Sequence, residues 1–171
     1  MSGGPEVAGV ALGVVLLVML AEAMISRAHE RTLRAQGAVE PAGDVYPTMR
    51  WAYPACFVAM GVEGALIGRP PGRSALLGVM LLVLAKALKF WAMSALGRRW
   101  TFRVLVPPGS PRIQRGPYAF LRHPNYVAVI GEILAFGVLV GAPLTGVVSA
   151  VGFGVLIRRR IRVEEQALRT G

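Results

Sequence analysis

Charge is scarce in this chain. Only 16% of its 171 residues are Asp, Glu, Lys or Arg, against about 25% in a typical soluble domain. Nine residues are acidic, and they form no block of the kind that marks an acidic tail. A single cysteine, Cys56, excludes an intrachain disulfide and a cysteine-ligated zinc site. Repeats and low-complexity stretches are absent, which sets aside solenoids and biased linkers. The N-terminus has no basic segment of the sort that opens a cleaved signal peptide, so the first apolar stretch is expected to stay in the mature protein.

What fills the chain instead is apolar. Hydrophobic residues make up 54% of it, more than a soluble domain of this length has an interior to hide. Five apolar stretches stand out, at 7–25, 51–68, 75–96, 127–141 and 144–157. The first three are long enough to cross a hydrocarbon core of about 30 Å. The last two are shorter, with Gly141-Ala142-Pro143 between them as a turn signal, and read as a helical hairpin. The expectation is an all-α integral membrane protein in one domain, 1–171, with about five membrane helices.

Arginine supplies 17 of the 19 basic residues, and its placement tests that layout. Fifteen arginines fall in the segments after the first and third spans and after the hairpin, and two, Arg69 and Arg73, fall between the second and third. The positive-inside rule then puts the N-terminus outside and the C-terminus in the cytoplasm, with the inner membrane of a bacterial cell as the expected location. The same concentration at membrane edges, without a groove-reading motif, argues for contact with membrane lipids and against nucleic acid. Residues 27–37 hold Arg27, Glu30 and Arg34 at helical spacings and are expected to prolong the first helix, with Gly37 as its cap. His29 reads there as an exposed helical histidine.

Chemistry is concentrated in two cytoplasmic stretches, at 114–126 and 158–168, which enter and leave the hairpin. A hairpin brings its ends together, so Arg122 and His123 should meet Glu164 and Glu165 at the membrane surface. Arg160–Glu164 and Glu165–Arg169 are also spaced as ordinary surface ion pairs. Prolines 117 and 124 stiffen the backbone around the first cluster.

Gly116-Pro117-Tyr118-x3-Arg122-His123-Pro124-x-Tyr126, followed by Arg160-Ile161-x2-Glu164-Glu165-x2-Leu168, resembles the isoprenylcysteine carboxyl methyltransferase family of integral membrane enzymes. The resemblance covers about 96–168 and implies S-adenosylmethionine bound at the cytosolic end of the last hairpin, with a lipophilic acceptor arriving from the bilayer. It implies Arg122, Arg160 and Glu165 at the reaction centre. It implies Gln114, Tyr118, His123, Pro124, Asn125, Tyr126, Glu164 and Leu168 around the cofactor. The chemistry is consistent: Arg122 or His123 answers the donor's carboxylate, Glu164 or Glu165 its ammonium, and the tyrosines offer hydroxyls or ring faces. Asn125 stands where the eukaryotic enzymes have serine, so their prenylated protein substrate does not carry over. Leu96-Gly97-Arg98-Arg99-Trp100-Thr101 with Arg103-Val104 is similar to bacterial relatives that methylate long-chain alkyl phenols or pyrones. The expected reaction is O-methylation of such a lipid, or of a carboxylate on an isoprenoid. A membrane reductase of the sterol-reductase type using NADPH, and a non-catalytic small membrane protein, are the alternatives.

Ionisable groups inside spans are functional candidates. Glu132 lies two turns past Asn125 on the same helix face and is a candidate base or acceptor contact, or else a carboxyl packed against another helix. Glu63 reads as structural, and Lys86 and Lys89 as lysines that reach toward the cytoplasm. Gly64-x3-Gly68 and Gly137-x3-Gly141 favour close helix packing, within a monomer or across a homodimer.

Overall fold

The computed structural model describes residues 3–68, 72–107 and 113–170, with side chains to residue 167. Arg69 and Arg112 and the side chains of Leu168 and Arg169 lie outside the described residues. Five helices follow one another: α1 (Gly3–Ala35), α2 (Tyr46–Ile67), α3 (Arg73–Leu96), α4 (Pro124–Val140) and α5 (Pro143–Thr170). Two 3₁₀ turns, Gly97–Arg99 and Gly116–Ala119, connect α3 to α4. Among the described residues there is no strand beyond a single antiparallel bridge between Val39 and Val106.

α1 is one uninterrupted helix of 33 residues, about 50 Å at 1.5 Å per residue. It absorbs the basic segment after the first apolar stretch, as expected, and ends at Gly37 (φ +81°). There the Ala38 amide donates to the Leu33 carbonyl at 3.0 Å. α5 likewise runs on through the arginine and glutamate motif. α1 and the helical stretch Arg73–Arg99 are long and apolar enough to cross a membrane; α4 is apolar but has 17 residues.

Burial runs inside out. Large apolar side chains cover the outer faces: Val10, Val14 and Leu17 on α1, Leu76, Met80 and Leu84 on α3, and Val148 and Val151 on α5 are all more than half exposed. Contiguous apolar surface on that scale needs lipid around it. The interior is a tight seam of Phe57 and Met60 on α2, Ile133 and Phe136 on α4, and Phe153 and Ile157 on α5.

Small residues set how close the helices come. A Cβ on Gly78 would stand 2.4 Å from the Leu139 amide nitrogen, and one on Gly64 would stand 2.4 Å from the Val140 carbonyl oxygen. α4 is thus clamped between α3 and α2. The expected glycine pairs divide between two jobs. Gly64 and Gly137 pack within the monomer, while Gly68 and Gly141 sit in left-handed conformation as helix C-caps. Glu63 is structural, as expected: its carboxylate accepts from the Thr145 amide at 3.1 Å and caps the first turn of α5. Cys56 is half-buried against the core.

Two expectations for the spans are corrected. Lys86 and Lys89 do not reach for the cytoplasm. They are turned inward, Lys89 almost wholly buried, because Glu22 of α1 and Glu132 of α4 face them. Glu30 and Arg34 do not form helix-surface pairs either. Glu30 takes the Ser26 hydroxyl at 2.7 Å and Arg103 at 3.5 Å, and Arg34 pairs with Glu40 at 2.5 Å. Tertiary partners hold these charges in better geometry than an exposed helix face would.

Candidate functional site

The end of α1, the start of α2, the end of α3, the start of α4 and the late part of α5 enclose one cavity of about 580 Å³. Its rim carries Arg99, Trp100, Tyr118 and His123; its wall, Asn125, Tyr126, Arg160 and Glu164; its inner end, Tyr53, Lys89, Val129 and Phe153. Leu16, Leu20 and Trp51 continue the lining out to the lipid-facing surface.

Each element brings its residues for a local reason. The left-handed Gly116 (φ +60°) lets the Gly-Pro-Tyr turn lie against α3, where a Cβ would press to 2.9 Å on Ala95. Arg115 donates to the Ala95 carbonyl at 2.9 Å, so the turn also caps α3. Pro124 opens α4 at a position that needs no amide hydrogen, which leaves His123 as its N-cap and Asn125 and Tyr126 in its first turn.

Tyr126 is the hinge of the polar wall. Arg160 Nε donates to its hydroxyl at 2.9 Å, and the hydroxyl donates to Glu164 Oε2 at 2.9 Å. Arg160 and Glu164 are therefore joined through a tyrosine rather than as a surface ion pair, and Arg160 is 6% exposed. The His123 ring stacks on Tyr126 at 5.5 Å. Its Nε2 is buried with no hydrogen-bond partner, 3.6 Å from Glu165 Oε1. Trp100 Nε1 donates to Asn125 Oδ1 at 3.3 Å. The Tyr118 hydroxyl is half-buried, and burial together with the nearby Glu164 carboxylate raises its pKa, so it remains a neutral donor at physiological pH.

Asp44, the only aspartate in the chain, was not marked by any motif, yet it ties three segments together. It accepts from the Tyr46 amide at 3.1 Å, the Val104 amide at 2.9 Å and Arg160 Nη1 at 3.4 Å. With Asp44 in place, residues 100–106 line the cavity and 36–45 are tied to that segment, the two forming a double strap. Val39 and Val106 exchange amide bonds of 3.2 and 3.1 Å, and Arg103 joins Glu40 at 2.6 Å. Burial alone would raise the Glu40 pKa, but hydrogen bonds from Arg103 and Arg34 outweigh it and hold the carboxyl below its usual range. His29 also belongs to this layer and is not a free helical histidine: its Nδ1 donates to the Trp100 carbonyl at 2.8 Å.

The expected residues do not all converge. Tyr118, His123, Asn125, Tyr126, Arg160 and Glu164 line the cavity. Pro124 is buried as a helix starter, and Glu165 stands behind His123. Gln114 lies on a separate shallow depression with Leu96, Arg99 and Arg115. Arg122 is exposed and outside the lining, because the turn after Phe120 aims it at the surface.

Glu132 is also outside the lining. It bonds the Tyr53 hydroxyl and pairs with Lys86 at 3.0 Å and Lys89 at 3.5 Å. It stands behind the lining, so contact with the cavity passes to Tyr53 and Lys89. The one signal for this cluster in the sequence is that acids and lysines both lie within the apolar stretches: Glu22, Glu63 and Glu132 with Lys86 and Lys89.

Comparison with known proteins agrees with the geometry. The model of the isoprenylcysteine carboxyl methyltransferase (ICMT) family matches residues 77–170, which takes in most of α3, both 3₁₀ turns, α4 and α5. An uncharacterized protein of Bacillus subtilis, YpbQ, is 32% identical over 158 residues, covering 92% of this chain and 94% of its own length. An uncharacterized protein of Haemophilus influenzae is 24% identical over 155 residues, covering 90% of each chain. No solved structure matches, and none of these comparisons points to a reductase.

Proposed function

The chain belongs to the isoprenylcysteine carboxyl methyltransferase family and is accordingly a membrane methyltransferase; from that premise we propose that it is an S-adenosylmethionine-dependent O-methyltransferase acting on a lipophilic acceptor. The observation that carries the cofactor reading is the polar wall of the cavity. The His123 ring, the Glu164 carboxylate on α5 and the neutral Tyr118 hydroxyl line one space. That set suits a zwitterionic ligand: the His123 imidazole for its carboxylate, Glu164 for its ammonium, and Tyr118 and Asn125 for its hydroxyls and ring. When bound, S-adenosylmethionine supplies an electrophilic methyl group.

The chain's own part is to hold both partners in line and keep water out. Arg160 is fixed by Tyr126 and Asp44, and its buried cation steadies negative charge on the acceptor oxygen. The acceptor we favour is a long-chain phenol or pyrone, entering where Leu16, Leu20 and Trp51 open the cavity to lipid. In orientation, the cavity end of the bundle faces the cytoplasm of a bacterial cell, with the N-terminus outside.

The decisive experiment is a titration of the purified protein in micelles with S-adenosylhomocysteine and, separately, NADPH. Saturable binding of the first alone is expected. Binding of NADPH alone, or of neither, would overturn the reading. His123→Ala and Glu164→Ala should each weaken S-adenosylhomocysteine binding roughly 10- to 150-fold, the worth of a charge-assisted hydrogen bond, at unchanged helicity.

A further inference from the structure

The inner end of the cavity is not purely apolar. Glu22, Lys86, Lys89, Glu132 and Tyr53, from four helices, form one buried polar cluster. Lys86 Nζ lies 2.9 Å from Glu22 Oε1 and 3.0 Å from Glu132 Oε2; Lys89 Nζ lies 2.6 Å from Glu22 Oε2 and 3.5 Å from Glu132 Oε1. The charges balance, but ion pairs in an apolar bundle seldom repay their desolvation. Holding the helices together is a weak reason to have them.

Two members reach the cavity. Tyr53 and Lys89 line it; Glu22, Lys86 and Glu132 stand behind them. Lys89 lies seven residues before Leu96 and Tyr53 seven after Tyr46, both of these nearer the rim, so the pair sits about 10 Å down the cavity. An ammonium has three N–H donors; Lys89 gives one to Glu22 at 2.6 Å and stands 3.5 Å from Glu132 Oε1, which has no hydrogen-bond partner. The Tyr53 hydroxyl gives its proton to Glu132, which leaves oxygen lone pairs free to accept. Phe153, Val129 and Met19 surround the pair with apolar lining.

We propose that Lys89 and Tyr53 are the acceptor-binding residues of the cavity: Lys89 donates to an oxygen of the lipid's polar end, and the Tyr53 oxygen accepts from its hydroxyl. One donor and one acceptor side by side select a head group that carries a proton as well as an oxygen. A carboxylate has no proton for Tyr53, and a plain hydrocarbon end satisfies neither residue. Glu132 and Lys86 serve as positioning residues that fix the tyrosine and the ammonium. The proposal deepens the methyltransferase reading and depends on it only in calling the bound lipid the methyl acceptor.

The test is direct binding, in detergent micelles, of pentadecylphenol and of pentadecylbenzene, which lacks the hydroxyl. The wild-type protein should prefer the phenol. In Tyr53→Phe, which keeps the ring packed on Phe57 and Phe153, that preference should shrink about 3- to 10-fold. S-adenosylhomocysteine affinity should be unchanged. Should Tyr53→Phe fail to fold, the paired substitution Glu22→Gln with Lys89→Met removes the donor while keeping charges balanced, and should likewise shrink the preference. Equal binding of the two probes by wild type, or a preference that survives the substitutions, would overturn the proposal. A Tyr53-dependent preference in a protein that ignores S-adenosylhomocysteine would uphold the subsite and remove the methyltransferase reading instead.

Discussion

Asp44 shows how much of the site rests on a single residue outside both motifs. Its carboxylate, with a side chain 3% exposed, holds the start of α2, the 100–107 segment and the Arg160 guanidinium together. Asp44→Asn keeps the size and removes the charge that partners Arg160. Methyl transfer should then fall roughly 10- to 150-fold in kcat/KM, the range expected for a hydrogen bond to a charged group. Asp44→Glu should recover part of it. If Arg160 works independently of this partner, Asp44→Asn will match wild type in a labelled-methyl assay.

Among the elements, the double strap and the α3–α4 seam make opposite demands. The strap is held by charges: Arg34 and Arg103 on Glu40, with the Val39–Val106 bridge between. Because the Glu40 pKa is lowered on folding, its contribution is present above the usual carboxylate value of about 4.5 and is lost as pH falls through the lower folded value. The protection of the Val39 and Val106 amides, measured against their intrinsic exchange rates, should therefore fall as the protein is brought below about pH 4.5, ahead of that in α3 and α4. Glu40→Gln should show the lower protection already at neutral pH. The seam is held by shape. Gly78→Ala puts a Cβ 2.4 Å from Leu139 N and should cost about 1–3 kcal/mol of stability by overpacking. Gly13→Ala, where a Cβ meets nothing within 4 Å, should leave thermal unfolding unaltered. Equal effects of the two alanines would mean the helices are not in contact at Gly78.

At the scale of the whole molecule, a lipid-facing exterior and one basic end describe a protein oriented in a bilayer. The arginine split between the two ends, fifteen against two, sets the expected direction. A reporter fused at the C-terminus should read as cytoplasmic, and one inserted between α2 and α3 as external. Both on the same side would be incompatible with five crossings. The buried charge cluster makes a second prediction at this scale. Lys89→Met alone leaves Glu22 short of its nearest cation and should destabilise strongly, by about 3–5 kcal/mol. The double change with Glu22→Gln should restore most of that loss in a thermal unfolding scan. A double variant no more stable than the single one would show that the two groups do not act as a pair.

Fold class, helix order, the hairpin and the two motif stretches are legible in the sequence. The length of an apolar stretch, helix caps and arginine placement are local properties, and a motif is legible wherever its residues are contiguous. His123, Tyr126, Arg160 and Glu164 could thus be named in advance, though not that the Tyr126 hydroxyl stands between the last two. Only the tertiary structure decided which side chains face the cavity. Arg122 follows a turn whose direction depends on Gly116 seating against α3, and so points away. The sequence leaves Glu132 open between a base and a carboxyl packed against another helix; Lys86, Lys89 and Tyr53, distant in sequence, decide for the second, the lysines by pairing with it and the tyrosine by donating to it. Asp44 lies in a loop with no pattern, and its role exists only once the start of α2, the 100–107 segment and α5 bring Tyr46, Val104 and Arg160 around it. Buried polar groups must find partners, and which partners they find is fixed by packing between helices rather than by any one of them.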